Sequence, residues 1–157
     1  MTLPATIYAR FSNAEQAEGN SKTRQLSLCR DMIARHEWWG STDRELIDEG
    51  ISAYSGANRA PGSLLFQFEQ EAEAGRYRNG HVLVVENLDR ISRQGYDAVL
   101  PFLQKLTNQG VTIATVDGNL VYPAYERVTM AAIIVAVVHP VMPRYEQEQK
   151  DGRRNAA

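Results

Sequence analysis

The sequence predicts an α/β domain with a mainly parallel central sheet and helices on both of its faces. Three observations lead there. Short strand-like runs alternate along the chain with longer stretches of helical periodicity. Two of those runs, His81–Val85 and Val111–Val116, read as strands buried on both sides, as parallel strands are. A length of 157 residues suits one domain with a sizeable core.

The elements follow in order. Thr6–Ala9 favours a strand. Ser21–Glu37 has helical periodicity through Leu28, Cys29, Met32 and Ile33, and Glu45–Asp48 is a short strand candidate. Ile51–Gly62, rich in Gly, Ser, Ala and Asn, reads as a mobile loop. Pro61 suits the first turn of a helix running to about Ala74, with Leu64, Leu65 and Phe68 on its apolar face. The strand His81–Val85 comes next. Gln94–Gln109 is helical through Val99, Phe102, Leu103 and Leu106, with Gly110 as its stop before Val111–Val116. Tyr125–Val138 is a helix or, given its β-branched run, a strand. Pro140 and Pro143 stop regular structure beyond it. One domain over 1–138 is therefore expected, followed by a polar tail over 139–157 expected to be disordered.

Composition narrows the class. Apolar residues make up 43% and charged residues 23%, ordinary values for a globular protein. The longest apolar run, Met130–Val138, covers about half of the ~20 residues that a spanning helix needs. The first ten residues show no signal-peptide pattern. A single cysteine, Cys29, rules out an internal disulfide framework and is expected in the core. A cytoplasmic protein with no membrane association is expected. The net charge of −2 argues mildly against gripping DNA unaided. A local cluster of arginines still makes a positive site on a neutral protein.

Such a cluster is legible. Tyr8, Arg10 and Ser12 are spaced by two, so a strand reaching that far points all three to one face while Ile7, Ala9 and Phe11 point to the other. They stand at the carboxyl end of a strand, the edge where open α/β sheets bind ligands. The strand His81–Val85 also exits into Glu86-Asn87-Leu88-Asp89-Arg90-Ile91-Ser92-Arg93. Arg90 and Arg93 share a face if a helix has begun, and Asp89 then suits its N-cap. Cations at a helix start oppose the helix dipole, so an anion to be bound explains the arginines better than a solvated face does. Arg59 in the Gly56–Gly62 loop and Gln25 on the first helix are ordinary when taken singly. Together, one hydroxyl and four arginines (Arg10, Arg59, Arg90 and Arg93) suit phosphoryl transfer without a metal.

These residues carry a resemblance. Tyr8-Ala9-Arg10-Phe11-Ser12 resembles the first-strand signature of the serine site-specific recombinases, the resolvases and invertases. Leu88-Asp89-Arg90-Ile91-Ser92-Arg93 resembles their Leu-Asp-Arg-x-x-Arg signature, and Asn58-Arg59-x-x-Gly62 their Asp-Arg-x-x-Gly loop. The stretch Ser12–Gln25 is similar to the longer form found in large serine recombinases. The resemblance covers residues 5 to about 122 and implies a resolvase-like catalytic fold. It implies that Ser12 forms a 5′-phosphoserine link to cleaved DNA, with Arg10, Arg90 and Arg93 holding the scissile phosphate and Arg59 contacting it from the loop. Tyr8, Gln25 and Asp89 would support the site, Asp89 as a candidate for proton transfer. The implied partners are DNA and further copies of the chain, as a dimer or tetramer on DNA. No cofactor and no metal is implied. Asn58 replaces the usual aspartate, and Ser92 stands where glycine is common. Pro140 and Pro143 would interrupt the long helix that follows the sheet in this family, and no helix-turn-helix or zinc ribbon follows. A natural truncation, a remnant or a fragment is therefore expected, and the alternative reading is a recombination-incompetent module with an assembly or regulatory role. Arg90→Ala or Arg93→Ala is expected to abolish cleavage and leave the fold intact.

Two rivals fit less well. A nucleotide or flavin site lacks both the Gly-Lys-Ser/Thr ending and Gly-x-Gly-x-x-Gly. His36, His81 and His139 lack metal-ligand spacing. The Trp38-Trp39 pair is expected to cover the end of the first helix rather than to stack on bases.

Overall fold

The computed structural model describes residues 2–11, 21–49, 61–91 and 96–138. Among the described residues, five strands form one sheet: β1 (Pro4–Phe11), β2 (Trp39–Glu49), β3 (His81–Val85), β4 (Val111–Thr115) and β5 (Leu120–Tyr122). The helices are α1 (Ser21–Arg35), α2 (Leu64–Glu73), α3 (Tyr96–Asn108) and α4 (Met130–Val138). The spatial order is β2-β1-β3-β4-β5. The first four strands run parallel, and β5 returns antiparallel on β4.

Both faces of the sheet are covered. Ala5, Ile7 and Ala9 of β1 and Val82 and Val84 of β3 pack with Leu26, Cys29, Met32 and Ile33 of α1. Residues of opposite parity (Tyr8, Leu83, Val85, Ile113) pack with Leu65 and Phe68 of α2, with Phe102, Leu103 and Leu106 of α3, and with Ile133 of α4. Period-two alternation thus sends each strand into two cores at once. Burial pushes the Cys29 thiol up to about 12, as expected of a cysteine used for packing.

Several elements differ from their sequence expectation. β2 is much longer than Glu45–Asp48, because pairing with β1 recruits residues from Trp39 onward across a register shift between Ala5 and Ile7. Helix α2 begins at Leu64, not at Pro61. Ser63 is its N-cap, accepting a bond from Phe66 N at 3.1 Å, and Pro61 lies in the exposed turn before it. Tyr125–Val138 resolves as a helix only from Met130; Tyr125 has φ 63° and donates its hydroxyl to the Arg78 carbonyl at 2.5 Å. Gly110 does end α3, at φ 92°, and a Cβ there would fall 2.3 Å from the Tyr77 carbonyl. The mobile-loop expectation for residues 51–60 and the tail at 139–157 lie outside the described residues. Trp38 is half-buried against the α1 core and stacks on His36 at 4.3 Å, whereas Trp39 is exposed at the start of β2.

A buried carboxylate joins the start of α2 to the sheet. Asp48 accepts from Leu64 N at 3.0 Å, Leu65 N at 3.4 Å and the Tyr8 hydroxyl at 2.8 Å. It satisfies helix N–H groups that no intrahelical carbonyl can reach, with a charge of the sign the helix start favours. Asp48→Ala leaves three donors without their acceptor. The expected cost is about 2–3 kcal/mol of unfolding free energy by urea denaturation.

His81 opens β3 at the opposite edge of the sheet from the candidate site. It shares a 2.7 Å hydrogen bond with Thr6 and lies 4.4 Å from the Tyr77 ring. Burial, then the Arg44 and Arg76 charges, lower its pKa to about 4. The folded state therefore refuses a proton that the unfolded chain accepts near its ordinary value of about 6.5. Stability is full above that value and is lost as pH falls from about 6.5 toward about 4. His81→Gln should flatten that part of the curve of thermal midpoint against pH.

Candidate active site

The strand order creates a switch point. From β1 the chain moves outward to β2, then crosses back to β3 on the other side of β1. The carboxyl ends of β1 and β3 therefore diverge around a crevice, the place where open α/β sheets bind ligands. Pairing between β1 and β3 runs only from Ala5↔Val82 to Ile7↔Val84, whereas β1 continues to Phe11. Beyond Ile7 the β1 backbone keeps β2 on one side, as far as Phe11↔Glu49, and needs other partners on the β3 side.

Gln25 of α1 supplies them. Its Oε1 accepts from Arg10 N at 3.4 Å and its Nε2 donates to Arg10 O at 3.1 Å. The amide stands in for a strand neighbour, offering one acceptor and one donor to the same residue. Arg90 adds a third bond, from Nη1 to Arg10 O at 2.9 Å. Residues separated by 80 positions thus meet at the end of β1. A short 3-10 turn, Leu88–Arg90, delivers Arg90 inward and buries it. On the other side, Arg90 Nη2 donates to Glu86 Oε2 at 3.1 Å. Glu86 itself is fixed because the β3–β4 ladder extends past the strands, with Asp117 N donating to its carbonyl at 2.9 Å.

Each expected site residue is then placed or left open. Tyr8, Arg10, Gln25 and Arg90 are buried; Gln25 and Arg90 meet at the Arg10 backbone, while the Tyr8 hydroxyl is held by Asp48 of β2. Tyr8 and Arg10 share a face, as their spacing implies, but that face is no solvent edge: both residues are at most 2% exposed. Asp89 is exposed and lies within the 3-10 turn Leu88–Arg90, whose cap position is held by Asn87 with no side-chain cap bond; the expected cap on a helix continuing to Arg93 falls on residues outside the described ones. Ser12, Arg59 and Arg93 lie outside the described residues. Ser12 follows the last residue of β1 directly in sequence.

Three residues escape the sequence reading. Glu86 and Arg90 form an i,i+4 ion pair, a spacing visible in the sequence. Arg24 pairs with the same Glu86 carboxylate from α1, 62 positions away, a contact with no local signal. Asp48 as the Tyr8 partner is likewise visible only once β2 lies beside β1.

Fold and crevice together define a resolvase-like α/β catalytic domain. The profile of the family described as "Resolvase, N terminal domain" matches residues 5–157, and the chain belongs to that family. The fold recurs in the N-terminal catalytic domain of TP901-1 integrase, with a TM-score of 0.60 at 18% identity over 94% of this chain and 98% of that one. It recurs in a resolvase family site-specific recombinase from Streptococcus pneumoniae, with a TM-score of 0.60 at 16% identity over 99% of this chain and 97% of that one. The C-terminal catalytic domain of ISC1926 TnpA, an IS607-like serine recombinase, is similar with a TM-score of 0.53 at 21% identity, over 73% of this chain and 70% of that one. Among curated proteins, uncharacterized protein YbcK of Escherichia coli (strain K12) is 28% identical over 149 residues. Those residues are 95% of this chain and 29% of YbcK, so the chain spans under a third of that relative's length.

Among the described residues no helix is long and apolar enough to cross a membrane.

Proposed function

We propose that this domain cleaves and rejoins DNA by phosphoryl transfer, with Ser12 as nucleophile. The Ser12 hydroxyl attacks phosphorus at the scissile phosphodiester. The bond from phosphorus to the 3′ oxygen breaks, the serine proton is given up, and the departing 3′ oxygen takes one. The product is a 5′-phosphoserine and a free 3′ hydroxyl, and a 3′ hydroxyl attacking the phosphoserine reverses the sequence. One phosphodiester is exchanged for another, so no nucleotide need be consumed. Arg10, Arg59, Arg90 and Arg93 hold the non-bridging oxygens, where forked guanidinium groups suit two-point contact. Tyr8 and Gln25 keep the β1 end in place, and Asp89, exposed at the rim, is available for proton transfer.

The observation that carries this reading is the meeting of Arg10 and Arg90 at the carboxyl ends of β1 and β3. Ser12 is the next residue after that strand. Family membership supports it independently. Strand exchange in a homo-oligomer, a tetramer on DNA, belongs to the same proposal. It is supported by an apolar groove of about 360 Å³ between β5 and α4, lined by Val121, Pro123, Val128 and Val135 among others. Val121 and Val135 stay exposed there, apolar surface of the kind that partners cover. A recombination-incompetent module keeps the fold and forms no adduct.

The test fuses the full chain to a DNA-binding domain of known site and incubates it with duplexes randomised beside that site. A covalent protein–DNA adduct that survives denaturation and depends on Ser12 supports the proposal. Its absence rejects it.

A further inference from the structure

Two hollows lie at the amino-terminal edge of the sheet, the edge opposite the candidate active site. One, of about 380 Å³, runs past the start of β1 and is walled by Asn79, Gly80 and His81. The other, of about 340 Å³, lies between β2 and α2 and is walled by Thr6, Gln67 and Glu71. Arg44, Arg76 and Tyr77 line both, so the two adjoin. We propose that they form one binding cleft for a small phosphate anion, free phosphate or a phosphate monoester, held between Arg44 and Arg76. The inference is separate from the recombinase reading and does not rest on it.

Arg44 is the residue in need of a partner. It is half-buried, and its guanidinium has no ion-pair partner among the described residues. Arginine is seldom taken out of water unless it is paired. The carboxylate in the wall, Glu71, is already engaged on both oxygens, Oε1 by Arg76 at 2.9 Å and Oε2 by the Tyr77 hydroxyl. Arg76 has that ion pair and, as a cation just past the end of α2, also suits the helix dipole. Arg44 has neither. An anion in the cleft supplies what it lacks.

The backbone brings Arg44 there through an irregularity. Between Ala5↔Gly40 and Ile7↔Glu45, β2 advances five residues while β1 advances two. Arg44 is the last residue of that bulge. A bulge bends its strand and re-aims the side chains in it. Like Leu46, its neighbour of the same parity, Arg44 stands in the wall of the hollow under α2.

His81 registers the sign of the field from within the wall. Burial lowers its pKa most, and the Arg44 and Arg76 charges lower it further, to about 4. Two cations from different elements, β2 and the turn after α2, thus act on one buried imidazole. An oxyanion between them balances that charge. Two guanidinium forks suit a tetrahedral phosphate, which offers oxygens on every side, better than a flat carboxylate.

The test uses the full chain at a pH well above the ordinary histidine range. Inorganic phosphate should raise the thermal midpoint saturably, by about 3 °C or more at about 10 times its dissociation constant. Chloride and acetate at the same ionic strength should not. Phosphate also stabilises proteins without a site, by exclusion from their surface, and that rise does not saturate. Arg44→Ala should lose the saturable part and keep the other. Its midpoint in chloride should match the parent's, because no ion pair is removed. Arg44→Lys should bind about 10-fold more weakly, keeping charge without the fork. The His81 ring nitrogens, followed by NMR, locate the anion: their signals should shift with phosphate in the parent and hold still in Arg44→Ala. Duplex DNA without terminal phosphates should leave them unmoved. A second titration, with glycerol phosphate, separates the two sources: tighter binding than that of phosphate assigns a monoester, weaker binding the free ion. A saturable rise of equal size in Arg44→Ala overturns the inference, as does a parent with no rise beyond that in chloride or with unmoved His81 signals. An equal effect of acetate, or His81 signals that respond to duplex DNA in place of phosphate, overturns it too. Should Arg44→Ala fail to fold, the lysine variant and the parent's His81 signals decide the matter.

Discussion

Ser12→Ala forms no covalent adduct with DNA, while its thermal midpoint and its affinity for the tethered site stay at the parent values. The expected loss is at least about 10³-fold, because the other hydroxyl among the described site residues, that of Tyr8, is buried and donates to Asp48. Arg10, Gln25, Glu86 and Arg90 occupy that edge, and their roles there are hydrogen bonding and charge. End-labelling adds a sharper check. A 5′-phosphoserine retains the strand whose 5′ phosphate was attacked, so label at the 3′ end travels with the protein and label at the 5′ end leaves. The reverse pattern would contradict the proposed chemistry even if the adduct depends on Ser12.

Arg90→Ala should have two effects of separate origin. Adduct formation should fall by about 10²-fold or more with the loss of a phosphate-holding guanidinium. Stability should also fall, contrary to the expectation from sequence that the fold is left intact. Arg90 is buried, bonds the β1 end, and neutralises a buried carboxylate. Breaking a buried pair costs roughly 3 kcal/mol, here reduced because Arg24 still faces Glu86. A fall of about 5 °C in the thermal midpoint is the expected result for a domain of this size. Arg90→Lys separates the two effects. Lysine can keep the charge next to Glu86, so the midpoint should largely recover, while the rate should not, because a point charge lacks the planar fork. If Arg90→Lys cleaves DNA at the parent rate, the two-point phosphate contact is wrong.

Much of this fold is legible in the amino-acid order alone. His81–Val85 is a strand with the predicted ends, because an unbroken apolar run between polar neighbours can satisfy its surroundings only inside a sheet. The α1 periodicity places Cys29, Met32 and Ile33 in one core. Tyr8 and Arg10 stand out by their spacing of two on a strand and Arg90 as a cation at a helix start, whereas Gln25 is ordinary by itself and is picked out only by the resemblance. Other features are not legible. The length of β2 depends on what β1 offers it. Pro61 and Ser63 are both turn signals within three residues, and only the backbone path selects Ser63 as the N-cap of α2.

The sequence by itself determined the α/β class, the two-faced burial of the strands and the identity of most of the residues gathered in the crevice. All of these depend on periodicity and residue type, which are local properties. Only the tertiary structure decided that β3 lies beside β1 but parts from it after Ile7↔Val84. That divergence leaves the Arg10 backbone to Gln25 and Arg90 and gathers Arg24 and Arg90 around Glu86. Contacts between residues 62 and 80 positions apart depend on strand order and on charges sharing a buried volume, and nothing within a single segment of chain encodes either.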